Sequence, residues 1–233
     1  MTQNAWDTDF PNANGEILIG SGSGRALAAN ITGDANISIT NGSNSITVDN
    51  NASAGSGGLV LISTATASTS SSINFTGLSS TYIAYLIYFL NVAPASDAVT
   101  FCMRTSTDNG SSYDSGASDY SYNAVSTTAG GRNLTVNLNN SYMLIAGPAS
   151  SPWELGNASN EKLNGYLVLY NPSATTYTQA QGQCVYYSEG AVSVHTNLVN
   201  MRKSAADVDA ITFFMDSGNI SSGDFILYGF TAS

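Results

Sequence analysis

Apolar residues in this chain come in short alternating or continuous runs, each closed by Gly, Asn, Asp or Ser and repeated every ten or so residues. A stripe recurring every three to four residues, which a helix needs to bury one side, is nearly absent. The pattern restricts the chain to β structure. Strands are predicted over 58–68, 71–76, 82–92, 98–106, 119–126, 140–146, 163–171, 176–187, 191–201, 208–216 and 223–230. Ten or eleven strands in about 175 residues suit two stacked antiparallel sheets better than a small barrel, so the expected fold is all-β with a jelly-roll-like sandwich.

The first 57 residues differ in kind. GEILIGSGSGRALAANITGDANISITNGSNSITVDNNASAGSGG carries short alternating pieces, Ile17-Leu18-Ile19, Ile37-Ser38-Ile39 and Ile46-Thr47-Val48, between Gly/Asn/Ser turns. With about a dozen large apolar residues, this segment cannot cover its own backbone and apolar faces as a monomer. It must lie on the following domain or interleave with copies of itself, and the second choice implies a symmetric oligomer. The expected division is therefore an N-terminal oligomerising β segment over 1–57 and a β-sandwich head over 58–233, with Asn50 to Gly58 as a flexible joint.

Composition narrows the partners. Only 9% of the 233 residues are charged, so Ser, Thr, Asn and Gly make a surface of hydroxyls and amides. Six Lys and Arg against sixteen Asp and Glu give a net charge of −10 without any basic cluster, which argues against nucleic acid. MTQNAWDTDFPNANG has no basic stretch followed by an apolar one, so folding in a cytoplasm is expected. The most apolar segment, Tyr82 to Val92, is eleven residues, too short for a membrane-spanning helix; it reads as a buried strand, with Tyr82, Tyr85 and Tyr88 in the core and no membrane insertion.

Few residue sets look like chemistry. In STDNGSSY, Asp108-Asn109-Gly110 has the positive-φ residues of a tight turn, and the spacing Ser-x-Asp-x-Gly-x-x-Tyr looks like the Asp box that forms structural corners in sialidases and other β proteins. Asp108 would bond nearby donors while Tyr113 packs beneath. A calcium loop using Asp108 and Asp114, or a ligand contact, are the alternatives. His195, the only histidine, lies in a strand-like run and would have to serve any Ser–His or Cys–His pair. Cys102 and Cys184 sit in apolar runs as small hydrophobes, with pairing the less favoured choice. Asp207 and Asp209 would share one face of a strand, and Glu154 and Glu161 flank the Trp153 loop, but neither pair is placed beside a sugar-binding platform. No catalytic residue, metal ligand or cofactor is assigned. Tyr113, Tyr120, Tyr122 and Trp153 are the candidate surface contacts, since exposed rings stack on sugars and their polar tips hydrogen-bond.

The front segment resembles bacteriophage tail-fibre and related virion surface proteins, through its Gly-x-Ile-Leu-Ile-Gly turn-strand, its Gly-x-Gly-x-Ala-Leu-Ala step and its Asn-Ile-Ser-Ile-Thr-Asn-Gly-Ser-x-Ser-Ile-Thr-Val run. LVLISTATASTSSSINFTGLSSTY, RTSTDNGSSYDSGASDYSY and ITFFMDSGNISSGDFILYGF resemble a β-sandwich domain of such fibres. The resemblance implies a non-enzymatic homotrimer in the virion, assembled in the host cytoplasm, whose head contacts the host surface; the hydroxyl- and amide-rich composition with its loop tyrosines makes a host glycan the expected contact. Its other partners would be tail or capsid proteins. The alternative reading is a capsid decoration, cement or head-fibre protein, and a third is a carbohydrate-binding module.

Overall fold

The period-two pattern becomes strands throughout. The computed structural model describes residues 16–20, 26–34, 37–42, 45–50, 58–150 and 152–231, and its regular structure is antiparallel β. The chain divides into two units, Met1–Ser56 and Gly57–Ser233. In the first, β1 (Glu16–Gly20) pairs with β2 (Ala26–Asn30), and β3 (Ile37–Gly42) pairs with β4 (Ser45–Asn50). The backbone NH of Ile37 is capped by Asp34 Oδ1 at 3.0 Å where β3 begins. Every residue of β4 is exposed, Val48 to 60%.

The second unit is an antiparallel sandwich. Its strands are β5 (Leu59–Ser70), β6 (Ile73–Thr76), β7 (Tyr82–Pro94), β8 (Phe101–Ser106), β9 (Tyr120–Thr128), β10 (Gly131–Asn140), β11 (Met143–Ala146), β12 (Leu163–Tyr170), β13 (Tyr177–Tyr187), β14 (Ser193–Ala205), β15 (Ala210–Met215) and β16 (Ile220–Thr231). One sheet has eight strands in the order β10-β9-β14-β13-β12-β7-β16-β5, and the other has four in the order β11-β8-β15-β6. The pairs β7/β16, β8/β15 and β9/β14 are nested and alternate between the sheets. A jelly roll has eight strands in all; here the β12–β13 hairpin sits inside the larger sheet, and β10 extends its edge.

The sheets are joined by phenylalanines. Phe89 of β7 and Phe225 of β16 meet Phe101 of β8 and Phe213 of β15 with ring centroids 5.1 to 6.1 Å apart. All four are fully buried, and mostly edge-to-face contacts add to their area burial. A bulge in β7 at Asn91, whose φ is 53°, shifts the pairing with β12, and its NH is taken by Asn164 Oδ1 at 2.9 Å. Among the described residues no helix is long and apolar enough to cross a membrane.

Candidate binding surface

Strand alternation sends half of each strand of the larger sheet to the core and the other half to its outer face. In β13 the burial alternates without a break, so Gln179, Gln181, Gln183 and Val185 point outward while Ala180 and Cys184 point in. Register carries this across the sheet. Opposite Gln183 lie Tyr166 of β12 and Asn197 of β14; beyond them come Tyr88 and Ile226 on one side, Val125 and Leu134 on the other. The next row runs Tyr228, Leu86, Val168, Gln181, Val199, Asn123, Val136. A third, through Phe230, Ala84, Tyr170, Gln179, Met201 and Ser121, is likewise without charge.

Chemically this face has two halves. Tyr88 packs against Tyr166 at 6.4 Å and against Tyr228 at 6.2 Å, giving an aromatic cluster over β12, β7 and β16. On the other half, Asn123, Val125, Gln181, Gln183, Asn197 and Val199, with Tyr166 at the boundary, line a depression of about 290 Å³. Amides and valines there can hydrogen-bond neutral polar groups or pack apolar ones, and they supply no nucleophile. Charges stand at the margins: Thr66 Oγ1 donates to Asp224 Oδ1 at 2.7 Å, Lys203 Nζ donates to Leu138 O and Asn139 Oδ1 at 2.9 and 2.6 Å, and exposed Arg132 lies beyond Leu134 on β10.

The STDNGSSY segment is a hydrogen-bonded corner at the end of β8. Asp108 Oδ1 accepts from Ser106 Oγ at 2.7 Å and from the Ser112 NH at 2.9 Å, while Oδ2 accepts from Ser112 Oγ at 2.6 Å. These bonds hold its carboxyl at a pKa of about 2, the Ser112 hydroxyl contributing most. Asn109 and Gly110 take φ values of 55° and 84°. Asn109 ties the corner outward, its Oδ1 accepting the Gly77 NH and its own NH going to Asp209 Oδ1, both at 2.8 Å. A Cβ on Gly110 would lie 3.0 Å from the Tyr113 hydroxyl, so that ring lies under the turn. Asp114 is committed elsewhere: its Oδ2 accepts from Arg202 Nε at 2.6 Å, and Arg202 is only 4% exposed. Among the described residues no group of three His, Cys, Asp or Glu side chains could hold a metal ion.

The other expected residues scatter. Tyr120, expected at the surface, is instead fully buried; its hydroxyl accepts the Thr105 NH at 2.9 Å and donates to Asp114 O at 3.1 Å, and burial pushes its pKa up to about 12. Tyr122 packs against the core and stacks on Tyr142 at 6.4 Å. Trp153 also packs against the core, its carbonyl held by the Tyr186 hydroxyl at 2.8 Å. Tyr88, expected inside, is 39% exposed on the outer face, because a strand spacing of three from buried Tyr85 reverses the side. Asp207 and Asp209 lie in a loop rather than a strand, around buried Val208. His195 faces outward opposite Val185 and Thr127, whereas Cys184 faces the core, so the two stand on opposite sides of the sheet. Both thiols are free and buried. Glu161 closes a local turn by accepting the Ala158 NH at 2.7 Å, and burial, with Glu189 nearby, raises the Glu154 carboxyl.

The outer-face amides were overlooked at the level of sequence, although the alternation TQAQGQC states them: a strand with Gln at every second position shows those glutamines to one side. No family model matches the sequence, and no curated protein is significantly similar to it.

Proposed function

We propose that this chain is a non-enzymatic structural protein of a phage virion, a homotrimer whose N-terminal unit assembles copies and whose sandwich is presented as a head. The observation that carries the assembly reading is the bare β3–β4 hairpin. A two-stranded hairpin is at best marginally stable in water, and this one leaves Ile37, Ile46 and Val48 exposed. Copies of the same hairpin supply the missing apolar partner. The virion setting rests on the resemblance of residues 15–48 to fibre proteins, and a tail fibre contacting the host surface is the preferred location.

Quantitative mass spectrometry of purified virions, with antibody labelling in electron microscopy, tests the setting. The proposal expects labelling at the tail and a few dozen copies or fewer. Hundreds of copies over the head would move the protein to capsid decoration, and its absence from particles would overturn the virion reading.

A further inference from the structure

We propose that the outer face of the eight-stranded sheet is a homotypic interface, through which the sandwich units of neighbouring copies pack. The proposal rests on the assembly reading above and adds the surface. Each chain carries a net charge of −10, so copies repel unless the surfaces brought together are free of carboxylates. Three successive cross-strand rows of this face meet that condition; the row beyond them holds Asp224 at its β16 end, tied by its own hydrogen bond, and exposed Arg132 at its β10 end, and Lys203, also hydrogen-bonded, stands at the far margin.

The face is also sticky in a way that suits a second copy. Val199 at 56% exposure, with Leu134 and Val136 also more than half exposed, stands among amides. Neutral amides both donate and accept, so Gln181 or Asn197 of one copy can meet an amide of the next without any demand for opposite charge. Seven inter-strand spacings of about 4.8 Å and a depth of about 20 Å make a face of roughly 700 Å². A standard interface takes about 800 Å² from each partner, and half of this face is about 350 Å², so the contact is one that holds between copies already linked by the N-terminal unit. Its aromatic and amide–valine halves differ, which fits a heterologous contact: one half of each copy against the other half of the next closes a ring, as a trimer demands.

A photo-crosslinking amino acid, p-benzoylphenylalanine, in place of Val199 in the full-length protein tests this, with a second variant at Val136. Both positions are exposed, so neither substitution disturbs the core. Illumination is expected to give covalent chain-to-chain adducts from both variants, with the crosslinked peptide mapping to the outer face. In parallel, Val199→Lys should lower the melting temperature of the oligomer while leaving its mass unchanged. An oligomer of unchanged mass with no adduct at either position would overturn this inference while leaving assembly by the N-terminal unit intact. A monomeric wild-type protein would instead remove the assembly reading. Adducts formed only after adding envelope polysaccharide would overturn the homotypic contact in favour of a glycan occupant.

Discussion

At Asp108 a single carboxylate supplies the acceptors that a corner with two positive-φ residues cannot find in its own backbone. The bonds favour the charged form, so the folded pKa lies at about 2, below the ordinary 3.8. A depressed carboxyl stabilises the fold fully above its unfolded pKa and loses that contribution as pH falls through the folded one. Asp108→Ala should therefore melt below wild type near neutrality, and the gap should close between pH 3.8 and about 2. A gap that ignores pH, or a wild type strongly stabilised by calcium, would contradict a purely structural corner. Burial acts in the opposite direction on the thiols: it pushes Cys184 up to about 12 and raises Cys102 well above the usual range. A thiol reagent at neutral pH should find neither cysteine in the native protein and both after denaturation, since the thiolate is the reacting species. Reaction of the folded protein would contradict the placement of these side chains.

Among the elements, the strands with large apolar residues were legible and the polar edge was not. The runs around Tyr82, Tyr177 and Ser193 match β7, β13 and β14 closely, because alternation and β-branched content act together there. β10, GRNLTVNLNN, lies between the predicted strands 119–126 and 140–146, although Leu134, Val136 and Leu138 alternate through it and Gly130-Gly131 supplies its turn. Its apolar side faces out rather than in, so it lacks the buried run that marks the other strands. The aromatic contacts failed for a related reason. Residue type alone does not tell which side of a strand a tyrosine takes, and Tyr120 is buried while Tyr88 is exposed. This assignment of faces is testable. Phe213→Ala, at the junction of both sheets, should cost about 3–5 kcal/mol in urea unfolding of the 58–233 unit. Val199→Thr in dilute 58–233 should stay within about 0.5 kcal/mol of wild type, as an exposed position in a lone unit. Equal costs at the two sites would contradict the inside and outside given to them.

For the whole molecule, the proposed assembly gives the two units different parts. The second has its own core of mostly edge-to-face phenylalanines, whereas in the first Ile17, Ile37, Ile46 and Val48 are exposed. In the proposed oligomer, linkage would raise the local concentration of the heads, so contacts too weak for separate sandwiches would hold there. The most direct test is light scattering on the full chain and on 58–233 across a dilution series. The account predicts about three times the 24.1 kDa chain mass for the full protein at every concentration, and a 58–233 fragment that falls to monomer on dilution. A monomeric full chain, or a fragment that stays as large an oligomer as the parent, would contradict it.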